Sequence, residues 1–182
     1  MKTYFNSLLA YLILFSMLTI SVTAQDNQDA ILSKVEKSNM YKTIELAQMD
    51  RNLSTFVNLV RLSGLETSME MTDEHTLFIP TNDAFYKMSI EEFANLTNPK
   101  NRTDLVKFVK YHILPNKRMA YEFEENQVIT TDKAEEITVS VDNDLVYVGG
   151  AQVVKANIEA SNGVVHIVDN VIQPTLDVLA GE

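Results

Sequence analysis

Residues 76–88 read T-L-F-I-P-T-N-D-A-F-Y-K-M, and this stretch decides how the rest of the chain is arranged. Residues 76–79 are apolar and rich in β-forming side chains, so they predict a short buried strand. Pro80 is expected to end the strand because it has no amide hydrogen. Thr81 and Asn82 then offer side-chain oxygens to the first amides of a helix. That helix is expected to carry Ala84, Phe85 and Met88.

Two further motifs lie downstream of this stretch. Residues 162–174 read N-G-V-V-H-I-V-D-N-V-I-Q-P, and the dipeptide Tyr111-His112 lies between the two stretches. Residues 76–85 resemble the first motif of fasciclin (FAS1) domains, T-[hydrophobic]-F-x-P-T-N-x-A-F, and residues 162–174 resemble the second. Tyr111-His112 resembles the family's Tyr-His motif. The motif positions, which we expect to be mainly structural, are Thr76, Phe78, Pro80, Thr81, Asn82, Ala84, Phe85, Tyr111, His112, Asn162, Gly163, His166, Asp169 and Pro174.

The resemblance covers most of the chain. It implies a single FAS1-like domain at residues 37–176, with a β-wedge of short strands and a layer of α-helices. Helical patterns come first and strand patterns follow, which also predicts an α+β fold. Residues 25–36 are expected to form a polar segment and the start of a first helix, capped by Asp29 and extending through Val35. Residues 177–182 are expected to be a C-terminal tail.

The first 24 residues have the pattern of a secretory signal peptide. Lys2 provides a positive charge, residues 5–20 are mostly apolar, and residues 22–24 provide small side chains at a cleavage site. A retained membrane anchor is the alternative, but the apolar run is short for a membrane span. We therefore expect cleavage after Ala24. The protein is expected to be secreted, extracellular, periplasmic or on the cell surface, without membrane insertion after cleavage.

The chain is acidic and has no cysteine. Its formal net charge is -10 at pH 7, which disfavours nucleic acid and anionic lipid as partners because both are negatively charged. Lys117 and Arg118 form the only adjacent pair of basic residues in the sequence. The lack of cysteine excludes disulfides, thiolate nucleophiles and thiolate metal sites.

Several segments have the period of a helix. The clearest has apolar residues at 53, 56, 57 and 60 on one face, and Gly64 is positioned to end that helix in a left-handed cap. Ser89 and Glu92 form a capping-box pattern for a helix that extends to about residue 95. Further helices are predicted at residues 43–49 and 102–110.

The period changes in the C-terminal half of the chain. Residues 137–141 alternate, residues 142–144 suit a turn, and residues 145–148 predict the returning strand of a hairpin. Asn162 and Gly163 predict a tight turn with positive φ between strands at residues 153–160 and 164–168. The last strand is apolar on both faces around His166, so we expect it to be central in the sheet.

No pattern of catalytic or metal-binding residues is present. His75, His112 and His166 lack the spacing that places two ligands on one face. We expect His112 and His166 to be core residues whose ring nitrogens bind backbone or hydroxyl groups. Residues 26–29 and 142–144 lack the glycine and glutamate of a calcium loop. Because there is also no nucleophile elbow, P-loop or dinucleotide motif, we expect no enzyme activity, no cofactor and no metal.

The resemblance implies a secreted or cell-surface adhesion module that binds extracellular proteins or glycans without catalysis. In fasciclin domains of animal matrix proteins, integrin recognition is attributed to the Tyr-His region, here Tyr111 and His112, and to an Asp-Ile pair before the second motif. That pair aligns with Asn157 and Ile158. An amide oxygen is a weaker ligand than a carboxylate for the cation of an integrin-type receptor, so no metal-dependent binding is expected there. We expect contact through residues 116–121 instead, with these candidates: Asn116, Lys117 and Arg118.

A carrier of a small apolar ligand is the alternative function. Several methionines suggest a pocket between helices and sheet, although methionine often only fills gaps in a core. They are Met40, Met49, Met69, Met71, Met88 and Met119. A closed core would favour adhesion, whereas an apolar cavity of several hundred cubic ångströms would favour a carrier.

Overall fold

A computed structural model describes residue 32, residues 35–131 and residues 136–173. The predicted signal peptide, the predicted helix cap Asp29, the motif residue Pro174 and the C-terminal tail lie outside these ranges. Within the described residues, no helix combines the length and apolar character needed to cross a membrane.

Six α-helices lie within the described residues. They are α1 (Thr43–Gln48), α2 (Ser54–Ser63), α3 (Glu66–Met71), α4 (Asn82–Tyr86), α5 (Ile90–Leu96) and α6 (Arg102–Tyr111). Single 3-10 turns occur at Ser38–Met40, Arg51–Leu53, Pro99–Asn101 and Ala120–Glu122. Helices α1, α2, α5 and α6 confirm the predicted segments, whereas α3 was not predicted because its few apolar residues set no clear period.

Local signals fix several helix ends as predicted. Gly64 ends α2 in the left-handed region at φ 79. The Ser89 hydroxyl accepts from the Glu92 amide at 3.1 Å, and the Glu92 carboxylate accepts from the Ser89 amide at 3.0 Å, which completes the capping box. The expectation that a first helix extends through Val35 is wrong, because Val35 is not helical and Lys37 has a left-handed φ of 58.

Asn82 has a different role from the predicted one. Thr81 alone of the predicted pair caps α4, through a 3.3 Å hydrogen bond from the Ala84 amide to its hydroxyl. The Oδ1 atom of Asn82 instead accepts from the Thr55 amide at 2.9 Å, and its Nδ2 donates to the Arg51 carbonyl at 2.8 Å. Asn82 therefore satisfies an N-terminal amide of α2 and links two helices. Met88, expected within α4, lies beyond its end.

Seven strands of the described chain form one sheet. They are β1 (His75–Pro80), β2 (Ile113–Leu114), β3 (Gln127–Thr130), β4 (Glu136–Asp142), β5 (Leu145–Val148), β6 (Ala151–Ala160) and β7 (Gly163–Val168). Their order is β2-β1-β7-β6-β5-β4-β3. Only the β1–β7 pair is parallel among the pairs of this sheet. The helices and this mostly antiparallel sheet confirm the α+β prediction.

The two motif stretches lie side by side in the sheet. Phe78 of β1 is in register with His166 of β7, and their rings stack at a centroid distance of 5.4 Å. Every residue of both strands is buried, which confirms that β7 is central. Gly163 permits this pairing, because a Cβ atom there would lie 2.0 Å from the His75 carbonyl oxygen. The turn itself falls at residues 161–162, one residue earlier than predicted, and Gly163 is the first residue of β7 at φ 154.

Each face of the central strands has its own core. Leu77 and Ile79 pack under the helical layer with residues of α1, α2 and α6. Phe78 faces the other way and packs with Ile137 and Val148 of the β4–β5 hairpin. Because β4 lies four places from β1 in the sheet, this contact requires the sheet to curl over its own face. Strand β1, which was predicted from residues 76–79, thus lies between the two cores.

Candidate interaction site

Residues 116–121 form a loop that follows β2 and includes the start of the 3-10 turn at Ala120–Glu122. Buried polar residues of the central strands hold this loop. The Thr76 hydroxyl donates to the Asn116 carbonyl at 2.6 Å and accepts from the Arg118 amide at 2.8 Å. The Nε2 atom of His166 lies 2.8 Å from the Arg118 carbonyl oxygen. Thr76 and His166 are both fully buried, so the sheet fixes the backbone of the loop from below.

His166 is held in one tautomer. The Asn157 amide donates to Nδ1 at 3.2 Å, so Nδ1 accepts and Nε2 carries the proton that is donated to Arg118. Burial lowers the pKa of His166 below its usual value, and the hydrogen bond to the Arg118 carbonyl only partly opposes this. His166 is therefore a buried core residue whose ring nitrogens both bind backbone groups, as predicted.

Asn157 joins the loop to β6 through an irregular backbone. The pairing of β6 with β7 shifts register between Lys155 and Ile158, and Asn157 has a left-handed φ of 61. Asparagine tolerates this conformation better than most residues. The bulge directs its side chain towards the loop, where Oδ1 accepts from the Ala120 amide at 2.7 Å. The amide that replaces the expected carboxylate is thus part of the support of the loop.

Two of the candidate interaction residues face the core. His112 is fully buried, with Nδ1 at 2.8 Å from the Phe108 carbonyl and Nε2 accepting from the Ile172 amide at 3.1 Å. Burial lowers the pKa of His112 to about 4. Ile158 belongs to the core under the helices. These two side chains cannot contact a partner directly on the folded domain, whereas Tyr111 is half-buried.

The outer side of the loop presents basic and aromatic groups. Asn116 is exposed, and the Lys117 ammonium bonds Glu159 at 2.8 Å, which raises the pKa of Lys117. The Arg118 guanidinium lies over the Phe123 ring at 5.4 Å. Tyr121 is 77% exposed. The sequence did not predict that Thr76 and His166 hold this loop. Their polar side chains within apolar strands nevertheless indicated that each needs a hydrogen-bond partner.

A groove of about 400 Å³ opens beside the loop. Its apolar part includes Phe123, Val141 and Val146, and its polar part includes Asp144 and Asn157. Tyr121 forms one wall. An aromatic wall next to amide and carboxylate groups suits contact with a polar partner surface.

A smaller cavity of about 270 Å³ lies against α3, and we refer to it as the α3 cavity. Its lining residues are Leu65, Ser68, Met69, Thr72, His75, Lys110, Ile113 and Pro115. The buried His75 ring has Nε2 at 2.8 Å from the Thr43 hydroxyl, and burial lowers its pKa.

The remaining described motif residues have structural partners. The Asp169 carboxylate accepts from the Gln152 amide at 2.9 Å and contacts the Lys87 ammonium at 3.3 Å. Asn162 bonds three backbone groups through its side chain. Among the residues that the structure describes, no group of three or more histidine, aspartate or glutamate side chains could hold a metal ion.

Comparison with known protein families identifies the family of this chain. The sequence model of the family described as "Fasciclin domain" matches residues 51–174. Protein sll1483 of Synechocystis sp. is 32% identical over 149 residues, which cover 82% of each chain. Human periostin is 31% identical over 132 residues, but these cover 71% of this chain and only 16% of periostin.

A solved structure has the same fold. It is a FAS1 domain pair from the insect cell adhesion molecule Fasciclin I, with a TM-score of 0.54 at 14% identity, covering 76% of this chain and 52% of that chain. The FAS1-like fold that the sequence motifs implied is therefore confirmed.

Proposed function

The chain belongs to the fasciclin domain family, and from this premise we propose that it is an adhesion module that binds extracellular or cell-surface proteins or glycans. The described part of the chain contributes one domain to such binding. The insect protein that shares its fold is named as a cell adhesion molecule, which supports the proposal.

The observation that carries the proposal is the supported loop at residues 116–121. Its backbone is bonded to Thr76, His166 and Asn157, so little conformational entropy remains to be lost when a partner binds. Tyrosine and arginine contribute disproportionately to binding energy at interfaces, and the loop carries Arg118 and the exposed Tyr121. Lys117 is paired with Glu159, so the Arg118 guanidinium is the positive group that the loop offers, which favours an acidic or polar partner surface.

We further propose that the role is non-catalytic and that the mature protein is secreted or on the cell surface. Each histidine ring is buried against a hydroxyl or carbonyl group, which suits a structural role. The predicted signal peptide supports export. Mass spectrometry of the mature protein should give a first residue of Gln25, and a retained Met1 would contradict the export proposal.

The test is adhesion of cells to the immobilised mature protein. Tyr121→Ala removes the exposed ring without disturbing the anchors of the loop, and we expect adhesion to fall by at least about fivefold, which corresponds to about 1 kcal/mol of binding free energy. Tyr86→Ala is the matched control, because Tyr86 is 84% exposed and lies on α4, away from the loop. Equal adhesion by both variants and the wild type would contradict a role for this loop.

The carrier of a small ligand is a second candidate, and the α3 cavity favours it. Its volume of about 270 Å³ is close to the lower end of ligand pockets, which span about 300 to 1,000 Å³. Met69 lines the cavity, in agreement with the sequence argument from methionine.

A further inference from the structure

The α3 cavity has an apolar wall and a polar wall. Its apolar side chains are Leu65, Met69, Ile113 and Pro115, supplied by α3, by the residue before it and by the segment that follows α6. The polar side chains are Ser68, Thr72, His75 and Lys110. A cavity of this composition suits a molecule with one apolar part and one polar part.

The polar wall is rich in hydrogen-bond donors. Lys110 contributes an ammonium group, which only donates, and Ser68 contributes a hydroxyl. Lys110 already interacts with another group of the protein, but an ammonium has three N–H donors and can bind a ligand as well. None of the described residues that line the cavity is acidic. Lys110 is therefore the one charged side chain among the described lining residues, on a chain whose net charge is -10.

Acidic residues do occur near the cavity, on α3 and the turn that follows it. Glu66 is engaged on another side, where it contacts the Arg61 guanidinium at 3.6 Å and accepts from Gln48 at 2.8 Å. Asp73 and Glu74 are exposed. Glu70, also on α3, is half-buried, and its backbone carbonyl accepts from the Lys42 ammonium. Water screens exposed charges strongly, so the exposed carboxylates weaken the attraction of Lys110 for an anion only in part.

The volume limits the size of the molecule. A water-sized group occupies about 30 Å³ in a liquid, so 270 Å³ accommodates about nine non-hydrogen atoms. Heptanoate, with seven carbons and two oxygens, has this size. A long fatty acid would have to leave most of its chain in solvent.

The wall formed by α3 is fixed rather than free to collapse. The Nδ2 group of Asn162 donates to the Met69 carbonyl at 3.0 Å and lies 3.4 Å from the Thr72 carbonyl. The Asn162 backbone carbonyl also accepts from the His75 amide at 3.2 Å. One side chain at the β6–β7 turn thus positions the helix and the base of the cavity relative to each other.

We propose that the α3 cavity binds a small anionic amphiphile, an aliphatic carboxylate of about six to eight carbons, with its carboxylate at Lys110 and its chain against Leu65 and Met69. This assignment rests on the carrier candidate and is independent of adhesion through residues 116–121. The ligand class follows from the volume of the cavity and from the ammonium group of Lys110 in its lining.

Amide NMR titration of the mature protein with three probes tests the ligand class. Heptanoate should shift the signals of Met69, His75 and Ile113, with a dissociation constant on the order of 1 mM, as expected for so small a ligand. The neutral probe 1-heptanol should bind more weakly, and heptylammonium more weakly still. Heptylammonium binding as tightly as heptanoate, or shifts that do not localise to the cavity, would overturn the proposal.

Paired substitutions test the two walls. Lys110→Met should weaken heptanoate binding at least about fivefold, by loss of a charge-assisted hydrogen bond, and leave 1-heptanol binding unchanged. Lys107→Met is its control, because Lys107 is exposed on the same helix and is not among the described lining residues. Unchanged heptanoate binding by Lys110→Met would overturn the assignment.

Filling the cavity gives a test that does not depend on charge. Ser68→Phe should abolish binding of both heptanoate and 1-heptanol, whereas the neighbouring exposed Thr67→Phe should bind both like the wild type. Circular dichroism establishes that each variant is folded. Both variants should support cell adhesion fully, so that failure of the ligand proposal and failure of the adhesion proposal give different results. Binding by Ser68→Phe at wild-type strength would place the ligand elsewhere.

Discussion

The Oδ1 atom of Asn162 accepts a 2.9 Å hydrogen bond from the backbone amide of Thr43, a residue 119 positions earlier in the chain. Thr43 is the first residue of α1, so this bond satisfies a free amide at the start of that helix. The Nδ2 group of the same side chain donates to the Met69 carbonyl at the end of α3. Asn162 therefore joins the β6–β7 turn to two helices, and it is 8% exposed.

Asn162→Ala should lower the free energy of unfolding by about 2 to 4 kcal/mol, because it leaves a buried amide and a buried carbonyl without partners. Urea unfolding measures the change. Asn58→Ala is the control, since Asn58 is exposed on α2 and its replacement should change stability by less than about 0.5 kcal/mol. Similar stability of the two variants would show that water replaces the lost bonds.

Gly163→Ala should be more destabilising than a change of backbone preference alone can explain. Its Cβ atom would lie 2.0 Å from the His75 carbonyl oxygen, so β1 and β7 would have to separate. We expect a loss of about 3 kcal/mol or more. Gly150→Ala is the matched control: Gly150 also has positive φ, at 79, but a Cβ atom there meets nothing within 4 Å. It should lose about 1 kcal/mol, and equal losses would argue against the close approach.

His166→Ala should lower the free energy of unfolding by about 2 to 4 kcal/mol, through lost packing and loss of a partner for the Arg118 carbonyl. The stacked contact with Phe78 is lost at the same time. Thermal unfolding gives the cost, and adhesion is measured at a temperature where the variant is folded. A variant with wild-type stability that fails to bind cells would make His166 a direct contact residue.

Stability should fall as the pH is lowered from 7 to 5. His112 has a pKa of about 4 in the folded state, whereas an unfolded histidine titrates near its ordinary value of 6.5. The unfolded chain therefore binds more protons than the folded one once the pH drops below about 6.5, and protons favour unfolding. The loss from His112 should begin there, reach about 2 kcal/mol at pH 5 and be complete below about pH 4. His75 and His166 should add to it, because burial lowers their pKa values as well. Urea unfolding at a series of pH values measures it, and a flat profile would show that His112 has its ordinary pKa.

Adhesion should not depend on a divalent cation bound at Asn157. Its Oδ1 atom already accepts from the Ala120 amide at 2.7 Å, and an amide is a poor ligand for a hard cation. EDTA should leave adhesion by the wild type unchanged. Asn157→Asp keeps the acceptor and tolerates the left-handed backbone, so its stability should stay within about 1 kcal/mol of the wild type. Strong adhesion by the wild type that EDTA and Asn157→Ala both abolish would show the opposite.

The sequence by itself determined the elements whose signals are local. The Ser89 and Glu92 capping box, the Gly64 cap and the hairpin turn depend on neighbours within a few positions. The two caps are in place, and the turn predicted at residues 142–144 falls at residues 143–144. The burial of the first strand also followed from its composition. These features are encoded locally because a cap or a short turn contains its own hydrogen-bond partners.

Only the tertiary structure decided the partners of the polar motif residues. Asn82 bonds an amide of α2, and Thr76 and His166 hold a loop that is 40 and 48 residues distant from them in sequence, respectively. The parallel pairing of β1 with β7, which sets these contacts and requires a glycine at 163, joins strands from opposite ends of the domain. Periodicity shows which face of a strand is buried, but a side-chain hydrogen bond also depends on which distant backbone group lies opposite, and that is fixed only when the chain packs.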